Sequence, residues 1–208
     1  MRYKSLFKTL IKAILAGVFI ALGGVIYLAV ENHYIGSLLF ATGLYSVLVF
    51  ELSLYTGKAS NLTEQGISYA LELAVILAGN LIGTLAVGFV VQYTRTFAKF
   101  TALEGLVKAK LEDTPLSIFI LAILCGMVMY TAVTLYKKSV NPVGVFVCVP
   151  LFILTGMEHC IANMFYFTAA NAWSVHTVVF MLVMIAGNAV GCNLIPLCCK
   201  MQEARGKR

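Results

Sequence analysis

Apolar residues run along this chain in long blocks separated by short polar stretches. Four blocks are continuous: Leu10 to Val30, about Ile67 to Tyr93, Pro115 to Tyr136, and about Thr177 to Leu197. Each reaches the roughly 20 residues a helix needs to span a bilayer. Two further blocks are interrupted. One runs from Ser37 to Phe50, meets Glu51-Leu52-Ser53-Leu54-Tyr55-Thr56-Gly57-Lys58, and turns polar as far as Gly66. The other divides into Val143 to Thr155 and Ile161 to Ala170, joined by Gly156-Met157-Glu158-His159-Cys160. Each half of the latter is too short to cross a bilayer, and together the halves have the right length. The pattern predicts two membrane helices broken at mid-depth. Irregular backbone at that depth survives only inside protein or along a cavity. Ionisable groups there are costly and by default mark a pathway. The plainer alternative is a kinked helix with a satisfied Glu-His pair.

Composition agrees with a membrane setting. The 208 residues are 61% hydrophobic and 12% charged, with mean hydropathy +0.92. A soluble domain carries about 25% charged residues. The expectation is one all-α polytopic membrane domain over residues 1–208, with almost no room for a soluble domain. The first block lacks a small-residue cleavage site and reads as a retained helix, not a signal peptide. Arg2, Lys4, Lys8 and Lys12 read as a basic amphipathic segment on the membrane surface.

The net charge of +6 is spread over the chain ends and certain loops, which excludes a nucleic-acid patch. Six spans put both termini on one side. With the N-terminus inside, eleven basic residues lie inside, among them Lys12, Lys58 and Lys137. The four outside, Arg95, Lys99, Lys108 and Lys110, all fall in the longest polar segment, Thr94 to Thr114. That asymmetry predicts cytoplasmic termini in a multi-pass cell (inner) membrane protein. Trp173 reads as an interface anchor. The six cysteines have no zinc-type spacing and read as packing residues, Cys198-Cys199 included, although Lys200 beside that pair also fits lipidation. His33 and His176 fall in polar loops. No metal or cofactor is expected, because the histidines are not spaced as ligands.

The chain also repeats itself. Ala78-Gly79-Asn80-Leu81-Ile82-Gly83 recurs 108 residues later as Ala186-Gly187-Asn188-Ala189-Val190-Gly191. Gly17 and Gly126 match at nearly the same offset, and Glu51 at the first break maps to His159 at the second. Three spans per repeat place the halves, about 8–93 and 115–199, in opposite orientation. A 3+3 inverted repeat with paired broken helices is a channel and transporter architecture, with the pathway between the repeats.

These motifs resemble the formate/nitrite transporter family. Gly156 to Met164 fits its Gly-x-Glu-His-x-x-Ala-Asn-Met motif at every fixed position, and Leu54-Tyr55-Thr56 looks like its Leu-Phe-Thr loop. Lys8 with Ala16 to Ile20, and the Gly-Asn-x-x-Gly motifs at Asn80 and Asn188, extend the likeness over nearly the whole chain. The resemblance implies an aquaporin-like protomer in a homopentamer, each protomer with its own pore for small monovalent anions or their acids. It implies that His159 is the central histidine, that Thr56 faces it, and that Glu158 helps hold the loop. Leu44, Leu54 and Tyr55 match the cytoplasmic-side constriction and Phe152 the outer one, with Phe40 near the inner vestibule. Asn80 and Asn188 join the pore residues, and Lys8 and Lys110 are the vestibule lysines. Two positions depart from the family: Tyr130 stands where an asparagine is frequent, and the outer lysine usually lies closer to the fourth span than Lys110 does.

A bare anion in a narrow apolar pore loses several kcal/mol of hydration. Pairing with a buried cation or crossing as the neutral acid avoids that loss, and a histidine suits both routes. The chain lacks the two Asn-Pro-Ala motifs of an aquaglyceroporin and any nucleophile–base pair of an enzyme. A proton-coupled symporter for a short monocarboxylate is the remaining alternative. A reporter fused at Lys137-Lys138 is expected to read cytoplasmic, together with reporters at both termini. An external reading at Lys137-Lys138 would overturn the six-span topology.

Overall fold

The computed structural model describes residues 2–206, with side chains from 6 to 205. The side chains of Arg2 and Lys4, and residues Lys207 and Arg208, lie outside this range. The described regular structure is helical: α1 (Arg2–Ala29), α2 (His33–Val49), α3 (Tyr55–Lys58), α4 (Asn61–Gln65), α5 (Ala70–Val91), α6 (Leu103–Leu111), α7 (Pro115–Ser139), α8 (Val143–Leu154), α9 (Cys160–Ala169) and α10 (Val175–Gly206). Four stretches are long and apolar enough to cross a membrane: Leu6–Ala29, Tyr55–Val91, Pro115–Ser139 and Val175–Arg205. α2, α8 and α9 are apolar but shorter.

α2 and α8 stop in the same way. Glu51 and Gly156 follow them with φ of 50° and 71°. Leu52 N–H returns to Val47 O at 2.9 Å, and Met157 N–H returns to Phe152 O at 3.0 Å. Glu51 N–H reaches Leu48 O, and Gly156 N–H reaches Ile153 O, each at 3.2 Å. A left-handed residue with these two return bonds satisfies the orphan carbonyls of a helix end. The chain is then extended at Leu54 (φ −98°, ψ 133°) and His159 (φ −97°, ψ 107°) before α3 and α9 begin. This frame sets Glu51 opposite Gly156 and Leu54 opposite His159. It corrects the sequence alignment of Glu51 with His159, which matched the two ionisable residues; backbone conformation decides the equivalence.

α1 packs along α5, and α7 along α10. A Cβ on Gly83 would run into the backbone of Ile14 and Val18, and one on Gly191 into that of Ile123. Gly79 likewise faces Ala13, and Gly187 faces Ala122. Lipid tails are as apolar as leucine, so close backbone approach supplies the packing energy between these helices.

The structure refines several expectations. The basic N-terminal stretch is the start of α1, continuous with the membrane-crossing part, because no helix breaker separates them. The polar segment after α5 contains α6, which carries Lys110. Trp173 is half-buried: its Nε1 donates to Thr168 Oγ1 at 3.0 Å and its ring meets Phe167 edge-on. It braces the α9–α10 connection. Cys125, Cys148, Cys160 and Cys192 are buried packing residues, whereas Cys198 and Cys199 are exposed on the extension of α10.

The stop geometry makes a prediction. No atom lies within 4 Å of a methyl added at Gly156, so Gly156→Ala should cost only the left-handed penalty of about 1–2 kcal/mol. It should lower the unfolding midpoint of detergent-solubilised protein, while Glu51→Gly should hold or raise it. An unchanged midpoint for Gly156→Ala would show that position 156 is not held left-handed.

Candidate functional site

Two asparagines hold the two breaks. Asn80 Oδ1 accepts Tyr55 N–H at 2.8 Å, and its Nδ2 donates to Ala13 O at 2.8 Å and Ser53 O at 2.9 Å. Asn188 Oδ1 accepts Cys160 N–H at 2.9 Å, and its Nδ2 donates to Ala122 O and Glu158 O at 2.8 Å each. Each amide thus satisfies an N–H at the start of the second half-helix and a carbonyl just before it, and anchors both to α1 or α7. Both side chains are fully buried, and neither lines a cavity. They are fasteners of the breaks, which corrects their placement among pore residues.

The half-helices α3 and α9 start close together. Thr56 Oγ1 lies 3.0 Å from His159 Nε2, with both residues buried. His159 is also the N-cap of α9, its Nδ1 accepting Ala162 N–H at 3.1 Å. A lone pair on Nδ1 assigns the ring proton to Nε2, so the ring donates to Thr56 Oγ1. Thr56 O accepts the Cys192 thiol at 3.1 Å. Phe152 stacks on His159 with centroids 5.5 Å apart, and Phe40 meets Phe152 edge-on at 6.0 Å.

Glu158 points away from this centre. Its Oε2 accepts Lys110 Nζ at 2.8 Å and the Asn163 amide. The Lys110 and Glu158 side chains are only 9% and 4% exposed. Tertiary pairing therefore neutralises the carboxylate beside His159. Sequence reasoning missed this partner because Lys110 belongs to a polar segment; the one signal was that a buried Glu158 needs a cation or donors.

Cavities lie on either side. One, of about 600 Å³, opens at the end of the bundle that carries the start of α1; its walls include Lys12, Leu44, Glu51, Ser53, Leu54, Lys58, Val133 and Lys137. The other, of about 40 Å³, is lined by Tyr27, Lys110, Phe152, Met157, His159, Asn163 and Tyr166. Lys12 and Tyr27 are separated by about 22 Å along α1 at 1.5 Å per residue. Leu44 and Leu54 therefore face the first cavity, and Phe152 and His159 the second, with Thr56 lining neither.

Four expected residues sit differently. Phe40, expected near the inner vestibule, is one turn before Leu44 and packs on Phe152 instead. Tyr55 does not line the cavity; its hydroxyl donates to Ile185 O at 3.2 Å and ties α3 to α10. Lys8 is exposed and off the cavity wall, where Lys12 takes its place one turn on. Lys110 does line its cavity, but its charge is committed to Glu158.

Removing one partner of a buried pair leaves an uncompensated charge and costs about 3–5 kcal/mol. Lys110→Met should therefore sharply lower the thermal midpoint and yield of solubilised protein, and Lys110→Met combined with Glu158→Gln should restore a large part. A single variant as stable as wild type would show that Glu158 does not depend on this cation.

With the geometry described, comparison places the chain. A profile of the formate/nitrite transporter family matches residues 2–201. The formate channel FocB of Escherichia coli (strain K12) is 25% identical over 187 residues, covering 77% of this chain and 65% of that one. The formate channel FocA of Haemophilus influenzae is 27% identical over 184 residues, covering 76% and 65%. The matches thus span just under two thirds of the length of these curated relatives. Among solved structures, a pentameric formate channel with formate bound superposes with TM-score 0.81 at 22% identity, over 98% of this chain and 99% of that one. An FNT family ion channel superposes with TM-score 0.77 at 18% identity, over 91% and 87%. At those identities the superpositions speak for the fold, and the profile speaks for the lineage: this multi-pass membrane protein belongs to the formate/nitrite transporter family.

Proposed function

We propose that this protein is a membrane channel for small monovalent anions such as formate, nitrite or hydrosulfide, or their conjugate acids, with His159 coupling permeation to protonation. The observation that carries the reading is the Thr56–His159 contact, enclosed by Leu44 and Leu54 on one side and Phe152 and Phe40 on the other, between two cavities. The named activity of the relatives supports the same substrate class. The six spans form a 3+3 inverted repeat over one domain, residues 1–208, with the second and fifth spans broken at mid-membrane. The matched helix stops and matched asparagine frames support this arrangement. The termini are cytoplasmic, and the 600 Å³ cavity is the inner vestibule. Five protomers form a ring, as in the pentameric channel that shares the fold.

The hydrogen bonds indicate how a proton enters the mechanism. The Thr56 hydroxyl accepts from Nε2–H, which leaves its own O–H free to donate to a permeant oxygen. An imidazolium would set Nδ1–H against Ala162 N–H, so charging His159 would undo the α9 cap. The neutral acid crosses with the cap intact; an anion that takes its proton at this point takes it from an imidazolium, and the cap re-forms as the ring returns to neutral. A bare anion between leucine and phenylalanine side chains would lose several kcal/mol of hydration. Flux should therefore rise as pH falls towards the pKa of the permeant acid.

Stopped-flow uptake into proteoliposomes, run over formate, nitrite, hydrosulfide, acetate and lactate, tests the reading. His159→Asn is the decisive variant, because asparagine is a favoured N-cap and preserves the break while removing titration. His159→Asn should either lose anion flux or lose its pH dependence. Wild-type rate together with wild-type pH response would remove His159 from the proton step.

A further inference from the structure

Three lysines from three helices line the vestibule at the start of α1: Lys12 of α1, Lys58 of α3 and Lys137 of α7. Glu51 is the one acidic residue on that wall. Among the described residues, Lys58 and Lys137 form no ion pair, and Lys12 reaches only the backbone carbonyl of Glu51, at 3.3 Å. Lys12 and Lys137 lie within repulsive reach of Lys58, and Glu72 and Glu51 within attractive reach of it. Like charges held together over an open cavity are costly unless a counter-charge sits between them. The opposite vestibule differs, because its lysine is already paired with Glu158.

A permeant of a few heavy atoms and one charge needs neither three cations nor about 600 Å³ of space. We infer that this vestibule binds a multivalent phosphate-type anion, specifically a diphosphate group, which blocks permeation from that face. The proposal rests on the channel reading for the block, though not for the binding. Ammonium groups bind phosphoryl oxygens as point charges, and the cations on this wall are lysines. A diphosphate group carries several negative charges at neutral pH, enough to engage all three lysines. The Ser53 hydroxyl, on the same wall, supplies a neutral donor. The inner end of the cavity is walled by Leu44, Leu54 and Val133, where a multiply charged group would lose too much hydration to pass. It would stay in the mouth and exclude the permeant.

Titration calorimetry of the full-length, detergent-solubilised protein with inorganic pyrophosphate tests the binding without any flux assay. Binding should be detectable below millimolar concentration and weaken as salt is raised, since the charges face water. Lys58→Gln and Lys137→Gln should each weaken it several-fold, and together at least tenfold. Lys137 is exposed, so its variant serves should Lys58→Gln fail to fold. In proteoliposomes of sided orientation, pyrophosphate should slow formate flux only from the face that bears the termini. ADP binding as tightly as pyrophosphate would mark a nucleotide as the source of the diphosphate, and weaker ADP binding would mark the free anion. Absence of binding at millimolar pyrophosphate, or binding untouched by the double variant, would overturn the proposal. Absence of wild-type flux for every anion of the uptake panel would overturn the channel reading and leave the calorimetry standing.

Discussion

Backbone amides at a helix break buried away from water have no solvent to bond, and each unsatisfied group costs several kcal/mol. Asn80 and Asn188 meet that requirement here. One amide side chain carries an acceptor and two donor hydrogens, which matches the unpaired N–H and carbonyl that flank a break. The same amide also reaches a carbonyl of the neighbouring long helix, Ala13 O on α1 or Ala122 O on α7. That third bond converts a local repair into a positional lock. It fixes where α3 and α9 begin relative to the helix pairs α1–α5 and α7–α10. Thr56 and His159, 103 residues apart, meet at 3.0 Å as a result.

The glycine contacts make those locks reachable. Gly83 and Gly79 bring α5 against Ile14 and Ala13, and Gly191 and Gly187 bring α10 against Ile123 and Ala122. A larger residue at these positions would separate the helix axes. The asparagine amide would then fall short of the carbonyl on the facing helix. Packing and hydrogen bonding therefore act here as a single requirement, and neither asparagine could do its work on a looser helix pair.

Electrostatics then separates the two cavities. Lys110 reaches in from α6 and, with Asn163, takes up the charge of Glu158. The residue next to His159 is thereby part of a neutral pair. His159 itself is occupied on both ring nitrogens by an uncharged donor and an uncharged acceptor. Lys110 and Glu158 compensate each other on this side of the centre. On the other side Lys12, Lys58 and Lys137 face the cavity with one carboxylate among them, and the field there is that of a surplus of cations.

The succession of apolar blocks, the two interruptions and the glycine-asparagine motifs were legible in the chain, because burial in lipid imposes length and composition directly on sequence. The pairing of Thr56 with His159 came from resemblance of the motifs, and the contact agrees with it. The roles of Lys110, Phe40, Tyr55, Asn80 and Asn188 were not legible, for one reason. Each depends on a partner far along the chain: Glu158 for Lys110, Phe152 for Phe40, Ile185 for Tyr55, and the breaks for the asparagines. Lys110 was expected at a vestibule, and its polar neighbours in sequence gave no sign that α6 turns inward over Glu158. Hydropathy is a property of a residue and its neighbours, so the chain alone determined which segments lie in lipid and where they break. Charge compensation and hydrogen-bond satisfaction are properties of pairs, and only tertiary structure decided which polar groups are spent on the scaffold and which remain free to meet a solute.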